Sequence, residues 1–291
     1  MEIVDTIDGL RARLAQRSGS VGFVPTMGYL HDGHVSLMAS ARAAHDTVVA
    51  SIFVNPLQFA PTEDLSAYPR DPGGDAAKAV TAGVDLLFCP TVQEMYPEPM
   101  ATVVQVEGIS APMEGASRPT HFAGVATVVA KLLSIVGPCS AYFGEKDFQQ
   151  LAVIRRMVSD LSMPVVVVGG ATVREPDGLA RSSRNVNLSP AERAVASVLH
   201  DALLAGAALI AGGETDADVV RAAMRNSVDA EPLAALDYVE VADVMTLRPL
   251  AICSPSTSRL FGAVRFARAR LIDNVGIEMV GSEMAGDEGD R

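Results

Sequence analysis

The chain has 291 residues and a mass of 30.4 kDa, and an apolar share of 49% lets it bury a sizeable core across two domains. A formal net charge of −12 argues against a protein that grips nucleic acid by displacing counterions, and it leaves any anionic substrate dependent on a local basic site. Three cysteines, Cys89, Cys139 and Cys253, are odd in number and form no C-x-x-C, which reads as a reducing compartment.

The N-terminal MEIVDTIDGLRARLAQR lacks the apolar core of a signal peptide. No apolar stretch is expected to reach the ~18 residues of a membrane span, the best candidate, Phe122 to Gly137, being interrupted by Lys131. A soluble, cytoplasmic protein is the expectation. From Val21 onward, short β-branched runs at Val21–Pro25, Thr47–Val54, Val84–Cys89, Ala141–Gly144 and Val165–Val168 predict strands. Between them, Val35–His45, Asp75–Ala82, Phe122–Val136 and Phe148–Leu161 predict helices, the alternation of a parallel sheet with crossover helices. The VVVVGG run at 165–170 is apolar on both faces, as in the middle of such a sheet.

After Pro176 the texture changes. A loop, DGLARSSRNVNLSP, leads to one Ala-rich helix over Pro190–Ala211, with Ser189-Pro190 as its start signal, and a second over Thr215–Ser227. Leu236–Val241, Arg259–Phe266 and Arg270–Glu278 then alternate like antiparallel strands. The expected organisation is an α/β domain over 1–175, a smaller α+β domain over 176–280, and a frayed acidic tail over 281–291.

Three chemistry-bearing segments fall just past predicted strand ends, where an open α/β sheet places its ligands. In PTMGYLHDGH, His31 and His34 share one face of a first helical turn, beside backbone N–H groups with no intrahelical partner. A phosphate there would gain the helix dipole and the imidazole donors. A zinc pair and a plain pair of turn-capping histidines compete, and Gly28 and Gly33 tilt the reading toward a nucleotide. In NPLQF, Asn55 and Gln58 offer donors and acceptors that suit a hydroxyl-bearing substrate, against the alternative of a simple Asn-Pro turn.

In FGEKDFQQ, Lys146 is a point charge for a phosphate and Asp147 a partner for magnesium, with an exposed helix N-cap as the even alternative. In GLARSSRN, Ser182, Ser183 and Arg184 resemble a phosphate clamp, although such loops also serve as linkers. The Met113–Phe122 stretch, with Glu114, Arg118 and His121, reads on spacing alone as a surface loop. No Walker-type loop, G-x-G-x-x-G or G-x-S-x-G is present.

Taken in order, PTMGYLHDGH, SIFVNPLQF, AYPRD, RPTHFAGVATVVAKL, YFGEKDFQQL, DGLARSSRN and RLIDNVGIE resemble the pantothenate synthetase (pantoate:β-alanine ligase) family from about Val21 to Glu278. The resemblance implies a Rossmann-like nucleotidyltransferase-type sheet domain with a smaller C-terminal α+β domain folding over the site, and a homodimer. It implies a ligase that joins pantoate to β-alanine with ATP and Mg2+ through a pantoyl adenylate, with no nucleic-acid or membrane partner.

By the same resemblance, His31 and His34 contact the ATP phosphates, with His34 acting on the transition state, and Lys146, Ser182, Ser183 and Arg184 cradle the triphosphate. Met27, Gly28, Gly144, Val173 and Arg181 border the nucleotide, Asp147 lies near magnesium with Asp75 as a weaker second, and Gln58, Gln150 and Asn55 face pantoate. The chain departs from the family pattern at Asp32, usually Glu, at Arg181, usually apolar, and at Gly74, where an acidic residue is common. A dinucleotide-forming adenylyltransferase, a class I aminoacyl-tRNA synthetase fragment and a non-catalytic nucleotide-binding module are the competing readings.

Overall fold

The computed structural model describes residues 1–59 and 68–277. The chain divides into two compact units, Met1–Val173 and Arg174–Arg291. The first contains β1 (Glu2–Val4), α1 (Ile7–Ala15), β2 (Val21–Thr26), α2 (Asp32–Ala44), β3 (Thr47–Ile52), α3 (Pro72–Thr81) and β4 (Leu86–Phe88). It continues through short α4 (Val92–Met95) and α5 (Glu114–Ser117) to α6 (His121–Val136), β5 (Cys139–Gly144), α7 (Phe148–Asp160) and β6 (Val165–Gly170). The second contains α8 (Pro190–Val195), α9 (Val198–Ala211), α10 (Ala217–Asp229), β7 (Ala235–Asp243), β8 (Ser258–Arg265) and β9 (Arg270–Gly276).

The first unit is a six-stranded parallel sheet in the order β1-β4-β3-β2-β5-β6, covered on both faces. Successive side chains of a strand point to opposite faces. Phe23 and Val49 therefore pack in one layer with Val125, Val129 and Leu133 of α6 and Leu151 and Ile154 of α7. Val24, Val48 and Ala50 pack in the other with Met38 and Ala41 of α2 and Ala79 of α3. Strand order reverses between β2 and β5, the switch point at which open α/β sheets bind ligands. There β2 and β5 pair only through Gly22↔Ser140 and Phe23↔Ala141, while β2 pairs β3 and β5 pairs β6 over six residues each. The two strands part toward their carboxyl ends and leave a crevice.

Three expectations change. The valine run of β6 lies at a sheet edge, paired only with β5 among the described residues, and Val166 is 63% exposed. A continuous apolar run signals a strand without saying how many neighbours it has. Helix α3 starts three residues before Asp75, because the Asp71 side chain caps it with Pro72 in the first position. The Ala-rich helix is two helices, α8 and α9, separated at Ala196 and Ser197. Its 22 residues are together long and apolar enough to cross a membrane, contrary to expectation, yet Leu199, Ala202, Leu203, Ala207 and Ile210 pack inside the second unit's core. The N-terminal elements β1 and α1 lie outside the predicted elements. The predicted acidic tail and Glu278 lie outside the described residues.

The second unit is α+β: β7, β8 and β9 form an antiparallel sheet, and α9 and α10 share its core. Buried in it, Arg174 grips Asp273 with two bonds of 2.7 and 3.0 Å, and His200 Nδ1 lies 3.4 Å from the same carboxylate. Burial alone would raise the Asp273 pKa. The bonds to His200 and Arg174 outweigh it and hold the carboxyl below its ordinary range, so this contribution to stability is complete at neutral pH and is lost as acid protonates Asp273. Arg174→Ala, by leaving a buried carboxylate without its main partner, should destabilise the protein by about 3–5 kcal/mol at pH 7, measured by urea denaturation.

Candidate active site

The crevice between β2 and β5 is lined by segments that leave neighbouring strand ends. After β2 the chain turns through Met27–Leu30 into α2. Gly28 has φ +80 and Tyr29 φ 50, and the turn is held by Asp75, whose two oxygens accept the Tyr29 N–H at 2.8 Å and the Leu30 N–H at 2.6 Å. A Cβ on Gly28 would press on Ile52 and on Asp75 itself, so glycine is required by both its dihedral angle and its neighbours. Asp75 is buried and serves as a strut for the turn after β2, where the resemblance had placed it with magnesium.

His31 and His34 cap α2 reciprocally. His31 Nδ1 accepts the Gly33 N–H at 3.2 Å, and His34 Nδ1 accepts the His31 N–H at 3.3 Å. The capping alternative is thus real, but it does not compete with ligand binding. A neutral imidazole whose Nδ1 accepts must carry its proton on Nε2, so the cap turns each ring into an Nε2–H donor. The same geometry corrects the expectation of orphan backbone donors, since the Gly33 and His34 N–H groups are both used within the turn.

His34 keeps some solvent access but is closely surrounded by protein. That desolvation, helped by the electrostatic influence of His31, Lys146 and Lys78 and opposed by Asp147, pushes its pKa from 6.5 down to about 3. It is a neutral donor at physiological pH. Two of the chain's three lysines thus act on this one ring.

After β5, Gly144 leads into a 3-10 turn, Glu145–Asp147, and then α7. A Cβ at Gly144 would meet nothing within 4 Å, so the chain passes beside open space. Lys146 is 15% exposed and its Nζ lies 3.6 Å from Asp147 Oδ1. Asp147 stands at the N-cap position of α7 without making a capping bond, which sets the capping alternative aside. The adjacent glutamines have separate jobs. Buried Gln149 ties down the preceding loop through Ile109 O, Pro112 O and the Glu114 N–H, while half-buried Gln150 makes no side-chain hydrogen bond among the described residues.

After β3, Asn55 starts a 3-10 turn, Pro56–Gln58. Buried Asn55 accepts from the Leu57 N–H and the Tyr96 hydroxyl, and donates to Gln58 Oε1 at 3.3 Å and Gly124 O at 3.1 Å. With these bonds it orients Gln58, whose Nε2 donates to Met27 Sδ at 2.7 Å. A Cβ at Gly124 would overlap the Leu57 carbonyl, so glycine lets α6 reach this turn. His121 Nδ1 and Arg118 Nη2 meet the Gln58 carbonyl at 3.1 and 3.3 Å, and Glu114 is buried. The 113–122 stretch is therefore packed against the turn, not a surface loop. Spacing along the chain carried no trace of that tertiary contact, nor of Tyr96 and Lys78.

In the second unit, the Ser182 hydroxyl accepts the Arg184 N–H at 3.2 Å and starts a 3-10 turn over Ser183–Asn187. Arg181 pairs with Glu175 at 3.1 Å, and Asn185 donates to Ala180 O. Val173 is the last residue of the first unit.

A family model described as Pantoate-beta-alanine ligase matches residues 2–276. The chain belongs to the pantoate-beta-alanine ligase family. The pantothenate synthetase of Roseiflexus sp. (strain RS-1) is 53% identical over 279 residues, covering 96% of this chain and all of that one. That of Brucella anthropi is 53% identical over 290 residues, covering 98% and 100%. The crystal structure of the Thermus thermophilus pantothenate synthetase superposes with a TM-score of 0.91 at 53% identity, covering 95% of this chain and 99% of that one. The Francisella tularensis ligase, solved in complex with beta-gamma ATP and β-alanine, superposes with a TM-score of 0.78 at 32% identity, covering 96% and 98%.

Within this member of the ligase family, the two offices assigned to Asp75 separate experimentally. Asp75→Ala should cost about 2–3 kcal/mol in urea denaturation without magnesium, because two backbone donors lose a charged acceptor. A metal ligand would leave that stability unchanged and alter only the magnesium requirement.

Proposed function

We propose that this ligase joins pantoate to β-alanine with ATP, releasing AMP and pyrophosphate through a pantoyl adenylate that forms in the crevice between β2 and β5. The observation that carries the assignment of the site is His34, a neutral imidazole fixed with its donor on Nε2 beside Lys146 at the switch point of the sheet. Pantoate is a carboxylate at neutral pH, so its attack on the α-phosphate needs no general base. It needs two anions held in line and charge offset on phosphorus and the leaving pyrophosphate.

Lys146 supplies the charge, His34 supplies an N–H donor without adding charge of its own, and His31 supplies a second ring donor. By the family resemblance, Ser182, Ser183 and Arg184 contribute to the phosphate cradle, and Met27, Gly28, Gly144, Val173 and Arg181 border the nucleotide. Gln58 and Gln150 bind pantoate, with Asn55 acting by holding Gln58.

Magnesium takes one or two carboxylates together with substrate phosphates, and the half-exposed Asp147 beside Lys146 suits that mode while Asp75, tied to backbone N–H groups, does not. When bound, the ion offsets charge on the triphosphate. In the second half-reaction the neutral amine of β-alanine attacks the acyl carbon and AMP leaves. The resemblance supports a homodimer working in the cytoplasm.

Labelled pyrophosphate should exchange into ATP when pantoate and magnesium are present and β-alanine is absent, and His34→Ala should slow that exchange at least ~100-fold with the fold intact. No exchange by folded wild-type protein would remove the adenylate. The depressed pKa also makes a sign prediction. His34 stays neutral from pH 8 to 5 and takes a proton only as pH falls toward about 3, so NMR of ring-labelled histidine should show its resonance flat across that window.

A further inference from the structure

At the end of β3, three hydrogen bonds run in one direction through four side chains. The Tyr96 hydroxyl donates to Asn55 Oδ1 at 2.8 Å, Asn55 Nδ2 donates to Gln58 Oε1, and Gln58 Nε2 donates to Met27 Sδ. An amide can sit either way round, so the direction must be set by groups that cannot reverse. Asn55 has two of these: the Leu57 N–H, which only donates, faces Oδ1, and the Gly124 carbonyl, which only accepts, faces Nδ2. Turning Asn55 over would set donor against donor and acceptor against acceptor.

The Tyr96 hydroxyl adds a third vote, because burial pushes its pKa up to about 12 and it keeps the proton it donates. Its ring is held with Phe53 edge-on at 5.8 Å and Lys131 Nζ 5.4 Å from its centre.

We propose that Tyr96 is a positioning residue for pantoate recognition: together with the Leu57 N–H and the Gly124 carbonyl it holds Asn55, and through Asn55 it holds Gln58 so that the side-chain N–H of Gln58, and not its side-chain carbonyl, faces the substrate. The inference rests on the reading of Gln58 as a pantoate-binding residue. A thioether is a weak acceptor. The Gln58 N–H therefore gives up little when a carboxylate or hydroxyl oxygen of pantoate replaces Met27 Sδ. The same donor repels the ammonium of β-alanine, which keeps the second substrate out of the first one's place.

Tyr96→Phe removes the hydroxyl and keeps the ring. In pantoate-dependent pyrophosphate exchange it should raise the KM for pantoate about tenfold while leaving the KM for ATP and the thermal midpoint close to wild type. In a Gln58→Ala background, which by itself raises the pantoate KM, the added Tyr96→Phe should have no further effect, since the group it orients is gone. An unchanged pantoate KM in Tyr96→Phe, or full additivity in the double variant, would overturn the proposal and leave the Gln58 reading standing. An unchanged pantoate KM in Gln58→Ala would remove that reading and the proposal with it.

Discussion

Two parallel strands that share a pair of residues and then diverge determine most of what this chain can do. Because β2 and β5 meet only at Gly22–Phe23 and Ser140–Ala141, the sheet is continuous at its base and open at its carboxyl end. The segments that follow those strand ends carry the candidate residues on the two sides of the opening. One lip carries the His31–His34 start of α2, and the other carries Lys146 and Gln150. The long pairings of β2 with β3 and of β5 with β6 keep each lip rigid, so the opening has a set geometry.

Polar residues around this opening fall into two groups. Asp75, Asn55 and Gln149 are buried and have their hydrogen-bonding capacity taken up inside the protein. They hold a turn, a glutamine and a loop in place. His34, Lys146 and Gln150 are only half-buried. This division follows from the cost of burying a polar group unpaired: only those with complete internal partners can be sunk deeply enough to act as rigid supports. It also allows one imidazole to serve as a helix cap through Nδ1 and still offer an Nε2 donor, since the two ring nitrogens are separate functional groups.

The net charge of −12 describes the surface and not the site. Burial keeps the His34 ring neutral, and in a chain with so few lysines two of them lie within electrostatic reach of that ring and add to the effect.

Much of this was legible in the sequence. Period-2 and period-3.6 patterns set the α/β order of the first unit and the α+β texture of the second, because burial of one face is a local property of spacing. The motifs ending β2, β3 and β5 were visible because they interrupt those patterns with His, Asn, Gln and Lys, and the family resemblance follows from the same residues. What the sequence could not decide is which residue partners which. That Asp75 supports a backbone turn, that Arg118 and His121 meet the Gln58 carbonyl, that Tyr96 directs an amide through Asn55, and that a run of four valines lies at a sheet edge are all contacts between distant segments. A residue's type states which bonds it can make, whereas only the packed chain brings a particular donor to a particular acceptor and thereby settles the tautomer, the pKa and the direction in which each group faces.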